Sequence, residues 1–359
     1  MAPSAHGQEL PLPKRLVGDY GYWSRDQDPP YSAAQIPFRK LTHVNHAGVS
    51  FREDGSLSVP EGFLEPELNR RAHAAGVRVL LLLGGDFAGL EARGALGVLV
   101  ANIARFAGEH GYDGVDLDWE YPETRSDRSF LVELVDELRR SNTDYVLSID
   151  VPPWGGQGYD LARLRRTLDY FNIMMYDCAG PWTAYGQLNS PIFWDPSDPA
   201  PYECQPGGSA QEAADIFLRE VPAAQLNLGT PFYGYWYSNI DALFGFCPNA
   251  AHDPGRVCGN TVTSVSYAQL KPWIDHAWER HRDRIAQVPY LLRADGGEGY
   301  VTYDDAASTY DRVWYSDWTR GLGGTFMWSL DADYDGHSQD LLDAMYRATL
   351  GNAQVAPTF

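Results

Sequence analysis

Short apolar runs alternate with amphipathic segments along most of the chain. Apolar runs bounded by Gly, Pro or Asp are typical of buried strands. The predicted strands are residues 16–23, 43–51, 78–85, 114–120, 145–151, 171–177, 225–232 and 324–331. Residues 62–75, 95–109 and 127–140, which lie between these strands, have the period of amphipathic helices.

Strands that alternate with helices pair in parallel, and eight such units close into a (β/α)8 TIM barrel. We therefore predict an α/β fold of this class, with a small α+β insertion between strands seven and eight. A doubly wound open sheet is the alternative. No Gly-x-Gly-x-x-Gly motif follows a predicted strand, so that alternative lacks its usual ligand loop.

Roughly ninety residues separate the seventh and eighth strands, far more than the single helix of a barrel unit. They include a helix-like stretch at 266–283 and a hairpin-like stretch at 289–303, and a helix is expected to return at 304–319. The predicted organisation is a flexible tail at 1–14, a barrel at 15–237 and 304–350, and an insertion at 238–303.

The charge of the chain limits its partners. There are 28 Lys and Arg against 48 Asp and Glu, a formal net charge of −20, which would repel nucleic acid and anionic membranes. Residues 1–14 lack the apolar core of a signal peptide, so we expect either a cytoplasmic protein or one whose signal has been removed. We expect no nucleic-acid or membrane partner, and a monomer.

Four cysteines allow three disulfide pairings. Cys247 and Cys258 flank a short loop rich in turn formers and are the easiest pair to close, which leaves Cys178 with Cys204. Metal binding is the alternative, but no Cys-x-x-Cys pair or His with zinc-like spacing accompanies them. Disulfides favour a secreted protein over a cytosolic one.

Residues 112–122 place several acids in a segment that otherwise has the pattern of a buried strand. Because strand side chains alternate, Asp116, Asp118 and Glu120 share one face about 6.6 Å apart. The opposite face is apolar, with Val115, Leu117 and Trp119. Carboxylates this close cannot all ionise cheaply, so at least one should keep its proton near neutral pH and could act as a general acid. A polar strand facing solvent is the alternative.

Chemistry in such barrels lies at the C-terminal ends of the strands. There the fourth strand ends with Glu120, the sixth with Tyr176 and Asp177, and the eighth carries Trp328. With the overall layout, these features resemble glycoside hydrolase family 18, the chitinase family. The matching motifs are Asp-Gly-x-Asp-x-Asp-x-Glu at 113–120, Met-x-Tyr-Asp at 174–177, Gly-Pro-Trp at 180–182 and the eighth strand at 323–328.

The resemblance implies a retaining mechanism in which the acetamide of the sugar replaces the enzyme nucleophile. It implies that Glu120 protonates the glycosidic oxygen and later activates water. Asp118 would stabilise the oxazolinium intermediate, and Asp116 would share a proton with Asp118. Tyr176 would hydrogen-bond the acetamide oxygen, while Asp177 would hold the sugar.

The sequence departs from the family pattern around these acids. The family usually has Ser where this chain has Leu82, and Tyr near the end of strand one where it has Asp19. In typical members those hydroxyls stabilise the acid that corresponds to Asp116. An inward-pointing Asp19 would add a like charge and raise the apparent pKa of the cluster, altering the pH dependence. Alternatively, Tyr20 supplies the hydroxyl through a shift of one residue.

The expected pocket wall also differs from that of the family. The family's Tyr-Ala-Phe is His46-Ala47-Gly48 here, its Trp after Gly-Gly is Asp86, and its Arg is Tyr235. The chain has 11 Trp and 22 Tyr, more than a core requires, and sugar faces stack on aromatic rings. The resemblance implies that Trp328 forms the floor beneath the scissile sugar. The other candidate substrate-binding residues are Met174, Trp23, Trp119, Trp182, Tyr233, Trp236 and Asp19. We expect Trp273 and Trp278 to pack on the helix of the insertion.

The sequence thus predicts a chitinase that hydrolyses β-1,4-N-acetylglucosaminide linkages of chitin or chitooligosaccharides without a cofactor or metal. One alternative is an endo-β-N-acetylglucosaminidase that acts on N-glycans or peptidoglycan. The other is a non-catalytic chitin-binding lectin, although such lectins usually lose the acid at the position of Glu120.

Overall fold

The computed structural model describes residues 12–156, 158–200, 204, 206, 208–251 and 257–351. Its strands are β1 (Arg15–Gly21), β2 (His43–Phe51), β3 (Leu57–Ser58), β4 (Arg78–Gly85), β5 (Gly114–Asp118), β6 (Val146–Val151), β7 (Tyr170–Ile173), β8 (Leu226–Pro231), β9 (Tyr233–Tyr237), β10 (Val262–Ser266), β11 (Trp278–Arg282), β12 (Pro289–Arg293), β13 (Tyr300–Thr302) and β14 (Gly324–Trp328).

Eight parallel strands form a closed barrel. Their order is β1, β14, β8, β7, β6, β5, β4 and β2, and β2 pairs with β1 to close the ring, while the short β3 pairs antiparallel with β2. The prediction of a (β/α)8 barrel is therefore confirmed. The alternative of an open doubly wound sheet is wrong, because an open sheet would leave two unpaired edges.

The helices that the structure describes are α1 (Pro66–Ala74), α2 (Phe87–Arg93), α3 (Leu96–His110), α4 (Arg125–Ser141), α5 (Leu161–Leu164), α6 (Ala210–Phe217), α7 (Tyr267–Leu270), α8 (Ala306–Trp314) and α9 (Asp340–Thr349). Within the described ranges, no helix has both the length and the apolar character that a bilayer crossing requires.

Helix α4 shows how the sequence builds the outer layer. Thr124 accepts a hydrogen bond from the backbone of Asp127, and the Asp127 side chain accepts one in return, which closes a capping box at the helix start. The apolar stripe predicted within 127–140 is buried against the barrel. Local capping and one apolar face therefore specify this helix together.

Strands β9 to β13 form a second, five-stranded antiparallel sheet in the order β10, β9, β13, β12 and β11. This sheet begins at Tyr233, so β9 belongs to it, although the sequence analysis assigned residues 233–237 to the barrel. The hairpin expected at 289–303 is formed by β12 and β13.

The helix expected at 266–283 is wrong beyond its first turns. Helix α7 ends at Leu270, and residues from Trp278 onward form β11. Two local features stop the helix, since Pro272 has no N–H to donate and Asp275 has a left-handed φ of 62°. Trp278 is therefore a strand residue, and its ring stacks on Trp273 with centroids 5.6 Å apart, so both pack as expected.

Both expected disulfides are present. Cys178 bonds to Cys204 across a Cα separation of 5.0 Å, and Cys247 bonds to Cys258 across 5.3 Å. The middle of the loop between Cys247 and Cys258, residues 252–256, lies outside the described residues, as do residues 1–11 of the expected tail. At the end of that tail, Lys14 Nζ donates a 2.7 Å hydrogen bond to the carbonyl of Leu322.

Candidate active site

The acids predicted on β5 lie at increasing depth at the C-terminal end of the barrel. Asp116 is fully buried inside the barrel, Asp118 ends the strand, and Glu120 follows two residues later with an exposed side chain. This gradient follows from strand alternation, which turns every second residue inward while the chain rises towards the barrel mouth.

Hydrogen bonds from three other barrel strands, β6, β2 and β7, hold the Asp116 carboxylate. Ser148 Oγ donates to Oδ1 at 2.5 Å, and Asn45 Nδ2 donates to Oδ2 at 2.7 Å. Asn172 Nδ2 lies 3.3 Å from Oδ1. Burial raises the pKa of Asp116 to about 7, although the hydrogen bonds from Ser148 and Asn172 favour its charged form. Asp116 therefore titrates near neutral pH.

Asp118 connects this buried group to Glu120. Burial raises the pKa of Asp118 to about 8, and repulsion from Glu120 and then from Asp116 adds to this effect. The protonated Asp118 also donates a hydrogen bond to Glu120, which favours the neutral form of Asp118 further. Asp118 therefore keeps its proton near neutral pH at the barrel mouth, where a glycosidic oxygen could approach Glu120.

Asp19 points into the barrel, as one of the two sequence interpretations required. It is buried, and Asn45 Nδ2 donates to its Oδ1 at 2.9 Å while also donating to Asp116. Burial, and then the charge of Asp116, raise the pKa of Asp19 well above its ordinary value. The alternative that Tyr20 replaces the missing hydroxyl is wrong, because the Tyr20 hydroxyl donates to Glu65 at 2.6 Å.

A cavity of about 360 Å³ opens beside Glu120. Five of the residues that line it were predicted site residues, namely Glu120, Met174, Tyr176, Asp177 and Trp182. Tyr121, Pro153 and Trp154 also line the cavity, although they were not predicted as site residues. The ring of Tyr121 lies edge-on to Trp154 with centroids 5.4 Å apart, which forms an aromatic corner next to the acid.

Asp177 has two tyrosine partners, one of which, Tyr235, stands where the family pattern often has an arginine. The hydroxyls of Tyr233 and Tyr235 donate to Asp177 Oδ1 at 2.5 and 2.7 Å. Asp177 has a left-handed φ of 61°, and its backbone N–H donates to Asn189 Oδ1 at 2.9 Å. Burial raises the pKa of Asp177, while the two tyrosine hydroxyls favour its charged form.

Trp328 and Trp23 form an aromatic pair at the barrel mouth. Trp328 ends β14 and is partly buried in a cluster that includes Met174 and Tyr176. The ring of Trp23, which is 38% exposed, lies 6.3 Å from that of Trp328. Both rings are thus available to stack on a sugar near the acids.

Trp119 does not face the cleft, contrary to the expectation for a substrate-binding residue. It is buried, stacks on Phe87 of α2 at 4.6 Å and meets Phe130 of α4 edge-on. Strand alternation explains the difference, because Trp119 lies on the side opposite to Asp118 and Glu120. Trp236 likewise packs edge-on against Trp273.

Known proteins resemble this chain in sequence over most of its length. Residues 15–333 match the model of the family described as Glycosyl hydrolases family 18. The chain belongs to glycosyl hydrolase family 18. Chitinase B of Serratia marcescens is 27% identical, and the alignment covers 86% of this chain and 76% of that protein. Chitinase A1 of Niallia circulans is 25% identical over 92% of this chain but 58% of that protein, so this chain spans little more than half of its length.

The fold of the family 18 chain is also similar to solved structures. The Group IV chitinase of Ostrinia furnacalis in complex with allosamidin superposes with a TM-score of 0.79 at 22% identity. That superposition covers 92% of this chain and 97% of the other. At this level of identity the similarity shows the shared fold.

Several polar residues of this family 18 site were missed from the sequence. Asn45, Ser148, Asp150 and Asn172 all lie inside the barrel and are buried. A signal for one pair was present, because Ser148-Ile149-Asp150 repeats the polar, apolar, polar alternation of Asp116-Leu117-Asp118 on the adjacent strand.

Proposed function

We propose that the chain is a chitinase that hydrolyses β-1,4-N-acetylglucosaminide linkages of chitin or chitooligosaccharides with retention of configuration. The observation that carries this proposal is the exposed Glu120 beside a cavity, with Asp118 donating a hydrogen bond to it. The names of the two family relatives, Chitinase B and Chitinase A1, support the same substrate class.

In the proposed reaction, Glu120 protonates the glycosidic oxygen and later activates the attacking water. The acetamide of the sugar attacks its own anomeric carbon, so the enzyme needs no nucleophile of its own. Asp116 lies behind Asp118 in the barrel and shares a proton with it, so that Asp118, once its proton has moved to Asp116, stabilises the positive charge of the oxazolinium intermediate. Tyr176 orients the acetamide oxygen, while Asp177 holds the sugar.

The test is release of a fluorophore from chitobiose and chitotriose conjugates by wild type, Glu120→Gln and Glu133→Gln. Glu133 is an exposed acid on α4, so its variant controls for the loss of one negative charge. We expect Glu120→Gln to lose at least about 100-fold in kcat, the usual contribution of a general acid, while oligosaccharide binding is largely retained. Glu133→Gln should match wild type. Unchanged hydrolysis by Glu120→Gln would contradict the assignment.

The same assay separates the rival functions. Wild-type protein that binds chitooligosaccharides without releasing the fluorophore would be a lectin. Cleavage of N-glycan or peptidoglycan fragments, but not of chitooligosaccharides, would identify an endo-β-N-acetylglucosaminidase instead. A product time course on chitohexaose distinguishes exo from endo action through the first products.

We also propose that the protein is a secreted monomer. The disulfides Cys178–Cys204 and Cys247–Cys258 suit an oxidising compartment. Size-exclusion chromatography with light scattering tests the monomer, since the expected mass is 40.0 kDa.

A further inference from the structure

Of the two strands adjacent to β5, β6 supplies polar support to its acids and β4 does not. Asp116 pairs in register with Leu82 on one side and with Ser148 on the other. Ser148 donates a hydrogen bond to Asp116, whereas Leu82 is apolar. One step further towards the barrel mouth, Asp118 pairs in register with Asp150. Strand β6 therefore places one polar side chain beside each of the two inner acids.

Asp150 is a buried acid to which the proposed reaction assigns no role. It is 4% exposed, and its Oδ1 atom has no hydrogen-bond partner among the described residues. The Oδ1 atom of Asp118 is also buried without a partner in the same part of the structure. Neighbouring strands lie about 4.8 Å apart, so the two register partners are close enough for their side chains to meet. A buried oxygen without a partner is costly, which favours a contact between them.

The environment of Asp150 keeps it neutral. The groups that face it are Asp116 and Asp118 of β5, Asp19 of β1, Asn172 of β7, Tyr176 beyond β7 and Tyr159 before α5. This set contains acids, phenols and an amide, with no cation. Burial first, and then repulsion from Asp116, Asp118 and Asp19, raise the pKa of Asp150 well above its ordinary value. A neutral carboxyl group, unlike a carboxylate, can donate a hydrogen bond.

We propose that Asp150 is a positioning residue that, in its neutral form, donates a hydrogen bond to Asp118 Oδ1 and stabilises the negative charge of Asp118. This proposal rests on the proposed function for its role in the reaction. The hydroxyls that Leu82 and Asp19 replace would support Asp116, which Ser148 and Asn45 hold here, whereas the donor proposed for Asp118 comes from β6.

The test compares Asp150→Ala, which removes the donor, with Asp150→Asn, which keeps one. For Asp150→Ala we expect kcat on a chitotriose conjugate to fall by about 10-fold or more, the size of a hydrogen bond to a charged group, with KM nearly unchanged. Asp150→Asn should keep most of the kcat near neutral pH but change the alkaline limb of the pH profile. Asp317→Asn is the matched control, because Asp317 is another buried acid, with a pKa raised by burial to about 7, outside the cavity.

A second measurement needs no substrate. Carboxyl ¹³C NMR of the ligand-free protein follows the titration of Asp118, identified by its loss in Asp118→Asn. Removal of the donor in Asp150→Ala should raise the pKa of Asp118, because a hydrogen bond to the charged form favours that form. If the wild type cleaves no N-acetylglucosamine oligomer, the proposed function fails, and this titration still decides the role of Asp150.

An unchanged kcat together with an unchanged Asp118 titration in Asp150→Ala would overturn the proposal. Equal losses of kcat in Asp150→Asn and Asp150→Ala would also overturn it, because the amide of Asn should replace the hydrogen-bond donor. If Asp150→Ala does not fold, Asp150→Asn is the remaining test. An alkaline limb of the Asp150→Asn pH profile identical to that of wild type would then contradict the proposal.

Discussion

At the scale of single residues, Asn45 links Asp19 to the proposed catalytic acids. Its one amide nitrogen donates to both Asp19 and Asp116, so the two carboxyl groups lie on either side of a shared donor. Asp19 also has a buried oxygen, Oδ2, without a partner among the described residues. The protonation of Asp19 is therefore coupled to that of Asp116, and through it to the site.

We predict that Asp19→Asn alters the pH dependence of hydrolysis without abolishing activity. In wild type, the ionisation of Asp19 at alkaline pH adds a negative charge that holds protons on neighbouring acids. The amide carries no such charge, so the alkaline limb of kcat/KM should move to lower pH. A pH series on a chitotriose conjugate measures this shift.

Asp317→Asn serves as the control for this prediction, since it removes a buried acid elsewhere. Profiles of wild type and Asp19→Asn that superimpose over the whole range would show that Asp19 is not coupled to the reaction. A shift of the alkaline limb of kcat/KM in both variants would indicate a general effect of removing a buried charge.

The sequence predicted the acids of this site better than their supports. Asp116, Asp118 and Glu120 follow one alternating pattern within a single strand, so a local rule places them on one face. Asn45 and Asn172 come from different strands, and their contacts with Asp116 depend on the register between strands. A single sequence does not contain that register, so these amides could not be assigned in advance.

At the scale of elements, the position of a tryptophan relative to its strand decides its role. Trp119 follows β5 on the outward side and fills the space between the barrel and helices α2 and α4. Trp182 lies in the long connection after β7, lines the cavity and is 38% exposed. From the sequence both are expected in the cleft, because each lies near a predicted strand end.

Alanine substitutions of these two tryptophans should therefore affect different properties, stability for Trp119 and oligosaccharide binding for Trp182. Trp119→Ala should lower the free energy of unfolding by about 3–5 kcal/mol, as expected for a large buried aromatic ring. Trp182→Ala should leave stability nearly unchanged but weaken oligosaccharide binding by about 10-fold, equivalent to one sugar-ring contact. Denaturant unfolding and calorimetric titration with the inactive Glu120→Gln background measure the two effects. Untouched affinity in Trp182→Ala would remove Trp182 from the cleft.

The insertion shows where local patterns are insufficient. Residues 278–282 were included in a helix, yet they pair antiparallel with β12 as the edge strand of the second sheet. The run Trp-Glu-Arg-His-Arg has one large apolar residue, so neither a helical nor a strand period dominates it. Its partner strand determines its conformation. The barrel strands were predictable because each is a continuous apolar run.

At the scale of the whole molecule, the buried acids outnumber the buried cations among the residues that the structure describes. Burial is the main cause that raises the pKa of Asp116, Asp317 and Asp333 to about 7 and that of Asp118 to about 8. In the unfolded chain each would ionise near pH 4. Between these values the folded protein holds more protons than the unfolded chain, so the free energy of unfolding falls as pH rises.

Two buried histidines act in the opposite direction at lower pH. Burial lowers the pKa of His43 to about 4 and that of His46 to about 3, whereas in the unfolded chain both titrate near 6.5. Their neutral folded forms therefore make stability rise with pH until about pH 7. The effect of the acids is consequently clearest from about pH 6.5 to 8, where the histidine contribution is nearly complete.

We predict that the free energy of unfolding decreases between pH 6.5 and pH 8, by up to roughly 1.4 kcal/mol per pH unit for each excess proton that the folded state holds. Denaturant unfolding at a series of pH values measures the slope. Asp317→Asn should flatten it because one of the protons is lost, whereas the exposed control Glu133→Gln should leave it unchanged.

Repulsion among surface charges, from a net charge of −20, has the same sign but is screened by salt. The slope should therefore persist at high ionic strength, and stability that stays constant or rises over this range would mean that the buried acids are ionised in the folded protein.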